Sequence, residues 1–248
     1  MTPLLRFLAA PIFAAAVFAS PVASAQSFSP EQRGEIEKII RDYFVQHPEM
    51  IEELQQLAQS EKVKRAISEH KEELFNSARQ VTLGNPEGDV TMVEFFDYNC
   101  GYCKRALDDM TTLLKTDPKL RIVLKEMPVL SQGSLEAAQV AAALTMQDKT
   151  GKRYLDFHLK LLGGRGQADK ARALAVAKEV GADMQRLEKD MASAEIKLAL
   201  QESMKLAEAF SIQGTPSYVI GNEVLVGAVG LKELQAKINS ARCGKATC

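Results

Sequence analysis

Two cysteines, Cys100 and Cys103 in Cys100-Gly101-Tyr102-Cys103, are the residues of this chain best suited to chemistry. A close thiol pair can cycle between dithiol and disulfide. One thiolate attacks a partner's disulfide, and the second then releases the mixed disulfide. The pair follows the apolar run Val90 to Phe96, which reads as a buried strand. It opens a helical pattern in which Ala106, Leu107, Met110, Leu113 and Leu114 share one face. A cysteine at a helix start meets unpaired backbone N–H groups and the positive end of the macrodipole, and both favour a thiolate. Lys104 and Arg105 add positive charge nearby. Cys100 is therefore the natural attacking sulfur, and Cys103, almost one turn further in, the resolving one. Three other chemistries compete: a static structural disulfide, a zinc site built from all four cysteines, and a cysteine–histidine pair. The strand–helix setting argues for exchange over the first two. The three histidines, His47, His70 and His158, lie far from the motif in sequence and read as surface or packing residues. No metal and no cofactor is expected.

Two further features gain meaning beside the motif. Thr215-Pro216 precedes a strand pattern. A cis bond there would present a backbone edge to an extended substrate, while an ordinary trans turn fits the same residues. Glu94 stands in an otherwise apolar strand. Buried beneath the thiols it would have a raised pKa and could relay a proton; at a strand edge it would be a surface carboxylate. The pattern leaves both open. Cys243 and Cys248 form a second close pair near the chain's end. A small terminal disulfide loop is the simplest reading, and a second redox pair is the alternative.

These residues need elements to position them. Val90 to Phe96, the helix after the cysteines, and a second strand from Leu120 stopping at Pro128 make a βαβ unit. Asp117-Pro118 ends the helix. Residues 134–210 are mostly helical, broken at Gly151, at Gly163-Gly164-Arg165-Gly166 and at Gly181. Ser217 to Ile220, a Gly221-Asn222 turn and Val224 to Val226 read as a hairpin. A last helix covers about 232–241. Upstream, Ser29-Pro30-Glu31 is a helix start. Ile36, Ile39, Ile40, Tyr43 and Phe44, and beyond His47-Pro48 Met50, Ile51, Leu54, Leu57, Val63, Ile67 and Leu74, recur at helical spacing. This predicts an amphipathic arm in two or three pieces. The turn cluster Gly84 to Asp89 lies near its boundary with the rest.

The chain of 248 residues is 46% hydrophobic and 25% charged, enough to build a real core. Its 31 Lys and Arg nearly balance 32 Asp and Glu, which gives no electrostatic case for nucleic acid. Met1 to Ala25 carries one charge, Arg6, then the apolar run Phe7 to Ala19 with Pro11, and ends in Ala23-Ser24-Ala25. This reads as a secretory signal peptide cleaved after Ala25; the run is short for a bilayer span of roughly 20 residues. Export places the cysteines where disulfides persist.

Glu94-Phe95-Phe96-Asp97-Tyr98-Asn99-Cys100-Gly101-Tyr102-Cys103, with Gly214-Thr215-Pro216-Ser217 downstream, resembles the DsbA-like branch of the thioredoxin superfamily. The resemblance implies an α/β thioredoxin fold with an inserted helical domain at about 130–210 and an N-terminal helical extension. The expected organisation is a signal peptide (1–25), a helical arm (26–79), a DsbA-like domain (80–242) and a tail with a cysteine pair (243–248). The family's roles fall on Cys100 as nucleophile, Cys103 as resolving thiol, Thr215 and Pro216 as the cis-proline loop and Glu94 as the buried acid. The Gly-Tyr dipeptide lacks the histidine of the strongly oxidising members, and Thr215 is similar to the residue found there in disulfide isomerases. With the arm, these features look like ScsC-type and Com1-type exported proteins. That implies a periplasmic isomerase-like or oxidase-like thiol–disulfide oxidoreductase. Its expected partners are cysteine-containing exported proteins, a membrane-bound redox partner and a second or third copy of the chain bound through residues 30–78. The arm's alternative is to fold back on the catalytic domain. A copper- or metal-handling thiol protein and a non-catalytic envelope protein are the alternative functions.

Overall fold

The fold is taken from a computed structural model that describes residues 28–148 and 150–248. The signal peptide read at residues 1–25 lies outside the described residues. Among the described residues five strands form one sheet: β1 (Val81–Gly84), β2 (Val90–Phe96), β3 (Leu120–Glu126), β4 (Ser217–Ile220) and β5 (Glu223–Val226), in the order β1-β3-β2-β4-β5. Strands β2 and β3 are parallel, and every other pairing is antiparallel. Their parallel pairing requires a crossover. Helix α4 (Gly101–Thr116) supplies it, and so carries the cysteine pair out from the end of the central strand.

Successive side chains of a strand point to opposite faces, and both faces of β2 are covered. Met92 and Phe96 enter one apolar cluster, together with Ile122, Leu124, Cys100 and Cys103. Val93 and Phe95 enter a second cluster with Val123, Val219, Leu206 and Phe210. Fully burying side chains of this size stabilises the fold by roughly 1.5–3 kcal/mol each. The expected helical insertion is present as α5 (Gln132–Thr145), α6 (Lys152–Gly163), α7 (Lys170–Glu179), α8 (Met184–Met191) and α9 (Ala194–Ala209). Its Ala137, Ala141, Tyr154, Phe157, Leu161 and Leu187 share the first cluster with the sheet. The hairpin β4–β5 and the last helix α10 (Leu231–Cys243) follow as the pattern predicts.

One element is new and one expectation needs correction. The short edge strand β1, which the sequence pattern does not mark, pairs with β3 through Val81 to Gly84. The arm drawn at 26–79 is too long. The chain divides at Glu52/Glu53, and residues from Glu53 onward form one unit. The reason is burial. Val63 and Ala66 of α2 (Glu49–Glu69) and Leu74 of α3 (Lys71–Phe75) belong to the second core cluster. Lys125 of β3, buried on that face, donates its ammonium to the carbonyl of Glu73 at 2.6 Å and to Glu202 at 3.3 Å. A charge taken out of water needs such partners, so α3 is part of the body.

Upstream of that division stands α1 (Pro30–Gln46). Ser29 caps it in a capping box with Gln32, and Pro30 opens it, as the sequence predicts. It buries no residue; Ile39, Ile40, Tyr43 and Val45 are exposed. Among the described residues no helix is long and apolar enough to cross a membrane.

Candidate active site

Cys100 is the N-cap of α4. Its backbone N–H donates to Asp97 O at 3.0 Å, and its carbonyl accepts the Lys104 N–H at 3.0 Å. This holds its side chain over the first turn. The Cys100 Sγ accepts the Cys103 backbone N–H at 3.3 Å and donates to Thr215 O at 3.2 Å. Both cysteines are free thiols. Cys100 keeps 6% of its surface exposed and Cys103 none, so an incoming sulfur can reach only Cys100. Burial holds the Cys103 thiol well above the ordinary range, so its thiolate is costly unless a base takes the proton.

The Thr215–Pro216 bond is cis. The Thr215 carbonyl before it is the one that accepts from the Cys100 sulfur. A depression of about 480 Å³, lined by Tyr102, Arg105, Asp109, Thr215, Gly227 and Ala228, opens beside it. Tyr102 is exposed, and the Arg105 guanidinium lies 4.2 Å from its ring centroid, a cation–π contact. A larger groove of about 1020 Å³ between α5 and α9 contains neither cysteine.

Glu94 is buried, 3% exposed, which settles the choice that the pattern left open. It lies two residues from Met92 and two from Phe96, on the face that packs against the cysteines. Tyr218 of β4 stands opposite it in the ladder. The charges of Glu94, Cys103, Asp109 and Cys100 all reach the Tyr218 phenol and, after burial, raise its pKa further. Desolvation, reinforced by Asp109, pushes the Glu94 carboxyl up to about 8, and its Oε2 has no hydrogen-bond partner. A carboxyl that titrates near pH 8 can accept and return a proton.

The structure also assembles residues that sequence reasoning passed over. Asp97 accepts the backbone N–H groups of Val129 and Leu130 at 2.9 and 3.0 Å. The Tyr98 hydroxyl lies 3.1 Å from that of Tyr154, which donates to Glu126 at 2.6 Å. His158, read as a surface or packing residue, is buried and closes this group 3.4 Å from the Tyr98 hydroxyl, with its ring against Phe96. Burial alone pushes His158 down to about 3. It stays neutral and bonds to Tyr98. Cys243 and Cys248 pair with each other at the opposite end of the chain, so the four cysteines form two separate sites.

The DSBA-like thioredoxin domain model matches residues 91–239. A thioredoxin-like oxidoreductase from Silicibacter pomeroyi is 42% identical, with a TM-score of 0.65 over 69% of this chain and 96% of that one. A linker-deleted ScsC of Proteus mirabilis is 26% identical, with a TM-score of 0.73 over 88% of this chain and 98% of its own. Among curated proteins, the Na(+)/H(+) antiporter NhaA 1 of Salinispora arenicola is 27% identical over 166 residues, 67% of this chain and 25% of the antiporter. The chain thus spans about a quarter of the length of the first curated relatives it matches. The matched domain covers both cysteines, Glu94 and the cis-proline loop, and this chain belongs to the DSBA-like thioredoxin domain family, with a fold similar to that of ScsC.

Proposed function

We propose that this chain catalyses disulfide exchange in exported proteins, in the periplasm, through Cys100 and Cys103. One observation carries the reading: a free Cys100 sulfur at a helix N-cap, between the Cys103 N–H and the Thr215 carbonyl, with a buried second thiol behind it.

In isomerisation the Cys100 thiolate attacks a client disulfide. One client sulfur leaves as a thiolate, and Cys100 is joined to the other. A different client thiolate then attacks that client sulfur and expels Cys100, so no electrons are gained or lost overall. If no client thiol arrives, Cys103 attacks the Cys100 sulfur, and the client leaves reduced while Cys100–Cys103 becomes the disulfide. Glu94 accepts the Cys103 proton in that step. In oxidation the sequence runs backwards: a client thiolate attacks Cys100, Cys103 leaves as a thiolate and takes the proton from Glu94. A second client thiolate then closes the client disulfide, and two electrons stay on the dithiol. A membrane-bound redox partner would restore the working form.

Refolding of scrambled ribonuclease, beside oxidation of reduced ribonuclease, tests the reading. Wild type accelerates at least one of them, and Cys100→Ala accelerates neither. Equal behaviour of the two proteins in both assays would sink it.

We further propose that α1 joins copies of the chain as a dimer or trimer. Ile36, Ile39, Ile40 and Tyr43 recur on it at helical spacing and are exposed, and an apolar stripe of this kind is stabilised by burial. Sedimentation of the protein lacking residues 26–52 should give a monomer where the intact protein gives an oligomer. A monomer in both forms removes the proposal.

A further inference from the structure

The inserted helical domain grips the active site at one loop, Gly163 to Ala168, from both sides of the cysteine pair. Before the pair, the Asn99 side chain forms a two-way amide bridge with the backbone of Ala168. Its Nδ2 donates to Ala168 O at 2.8 Å, and its Oδ1 accepts the Ala168 N–H at 2.7 Å. The same Nδ2 also reaches Ser134 Oγ at 3.0 Å. After the pair, the Lys104 ammonium donates to Gly164 O. Arg172 of α7 fixes the loop from behind, through Gly166 O at 2.7 Å and Leu161 O at 3.1 Å. Asn99 is directly bonded to Cys100 in the chain, and neither its bridge nor the loop touches a sulfur.

We infer that Asn99 is a positioning residue: by bridging to Ala168 it seats the nucleophile loop on the inserted helices and holds the Cys100 sulfur in its two reduced-state contacts. Those contacts are narrow. Sγ must keep the Cys103 N–H at 3.3 Å and the Thr215 carbonyl at 3.2 Å. The first is strongest for a thiolate, and a disulfide sulfur accepts it only weakly. Anything that lets Cys100 drift therefore weakens the reduced form more than the oxidised one. The inserted domain is in this way part of the redox centre without supplying a group to it.

The inference rests on the exchange function proposed above. The experiment measures two quantities on the full chain: the equilibrium with a glutathione/glutathione-disulfide buffer and the alkylation rate of Cys100 by iodoacetamide at pH 7. Asn99→Ala should shift the equilibrium about threefold towards the oxidised protein and slow alkylation by a similar factor, the size expected when a partial charge at a helix terminus is misaligned. Gly164→Ala is the second variant, for the case that Asn99→Ala does not fold. A Cβ there would meet Arg172 at 2.0 Å and the Lys160 carbonyl at 2.7 Å, so the loop must move, though the substitution adds no group near the cysteines. It should shift both quantities in the same direction. A wild type that exchanges with glutathione, and variants that lose only thermal stability while matching it in both measurements, overturn the inference and leave the functional reading standing. A wild type that does not exchange overturns both.

Discussion

The two cysteine pairs of this chain sit at opposite ends of helices. Cys100 caps the N-terminus of α4, where unpaired N–H groups point at its sulfur. Cys243 is the last residue of α10, followed by Gly244 in the left-handed conformation at φ 76°. A helix C-terminus presents carbonyls, and the Cys243 sulfur faces the Lys245 carbonyl while the Cys248 sulfur faces that of Asn239. Such surroundings do nothing for a thiolate. The first pair is buried and reduced, and the second is exposed and joined. The spacing of two cysteines therefore says less than the helix end that receives them.

The largest effect expected from this contrast is on covalent trapping. Cys103→Ala should accumulate mixed disulfides with client protein, visible on non-reducing gels. Cys243→Ser combined with Cys248→Ser should accumulate none and should keep turnover within about twofold, since its sulfurs lack the activating setting. Turnover lost in the double variant would break the comparison and make the terminal pair a working redox site.

Glu94→Gln should come next. If Glu94 takes the Cys103 proton as proposed, resolution of a mixed disulfide should slow by roughly 10²-fold, the lower end of what general acid–base groups supply. The variant also has a stability signature. The folded carboxyl is raised from 4.5 to about 8, so its contribution is fully present below pH 4.5 and is lost as pH rises through 8. Denaturant titrations should show wild type losing stability relative to Glu94→Gln as pH rises across that window. Parallel curves for the two proteins would remove Glu94 from the site.

The smallest effect concerns the terminal ring itself. A disulfide that closes so short a loop stabilises by about 2 kcal/mol in the chain-entropy picture. Cys243→Ser with Cys248→Ser should lower the melting temperature by a few degrees. An unchanged melting temperature would mean that the ring constrains only its own residues.

The strand–helix–strand unit and the placement of Cys100 at a helix start were legible because they rest on local features: a continuous apolar run, a helical face and a spacing. The boundary of the arm was not. Val63, Ile67 and Leu74 repeat at the same interval as Ile36, Ile39 and Ile40, and a period shows that a face is apolar without showing what covers it. Only the packing separates them, so a truncation drawn through residue 78 would strip Val63, Ala66 and Leu74 from the second core. Strand β1 is four residues long and owes its state to β3. Asn99 before a helix reads as an ordinary turn residue, since its partner Ala168 is distant in sequence. The same distance concealed the grouping of Tyr98, Glu126, Tyr154 and His158. Their hydroxyl, carboxyl and imidazole partners are brought together only when α6 packs on the sheet.

The buried His158 has a bearing on how the protein meets acid. Its folded value near 3, against an ordinary 6.5, means that the unfolded chain takes up a proton between those limits and the native one does not. Stability is therefore lost as pH falls through that interval. Glu94 does the opposite, keeping a proton in the native state that the unfolded chain gives up between 4.5 and 8. Where the intervals overlap, from 4.5 to 6.5, one proton taken up offsets one retained. The pair acts as a compensated couple: their two contributions cancel in mild acid, and each leaves its own slope outside that interval.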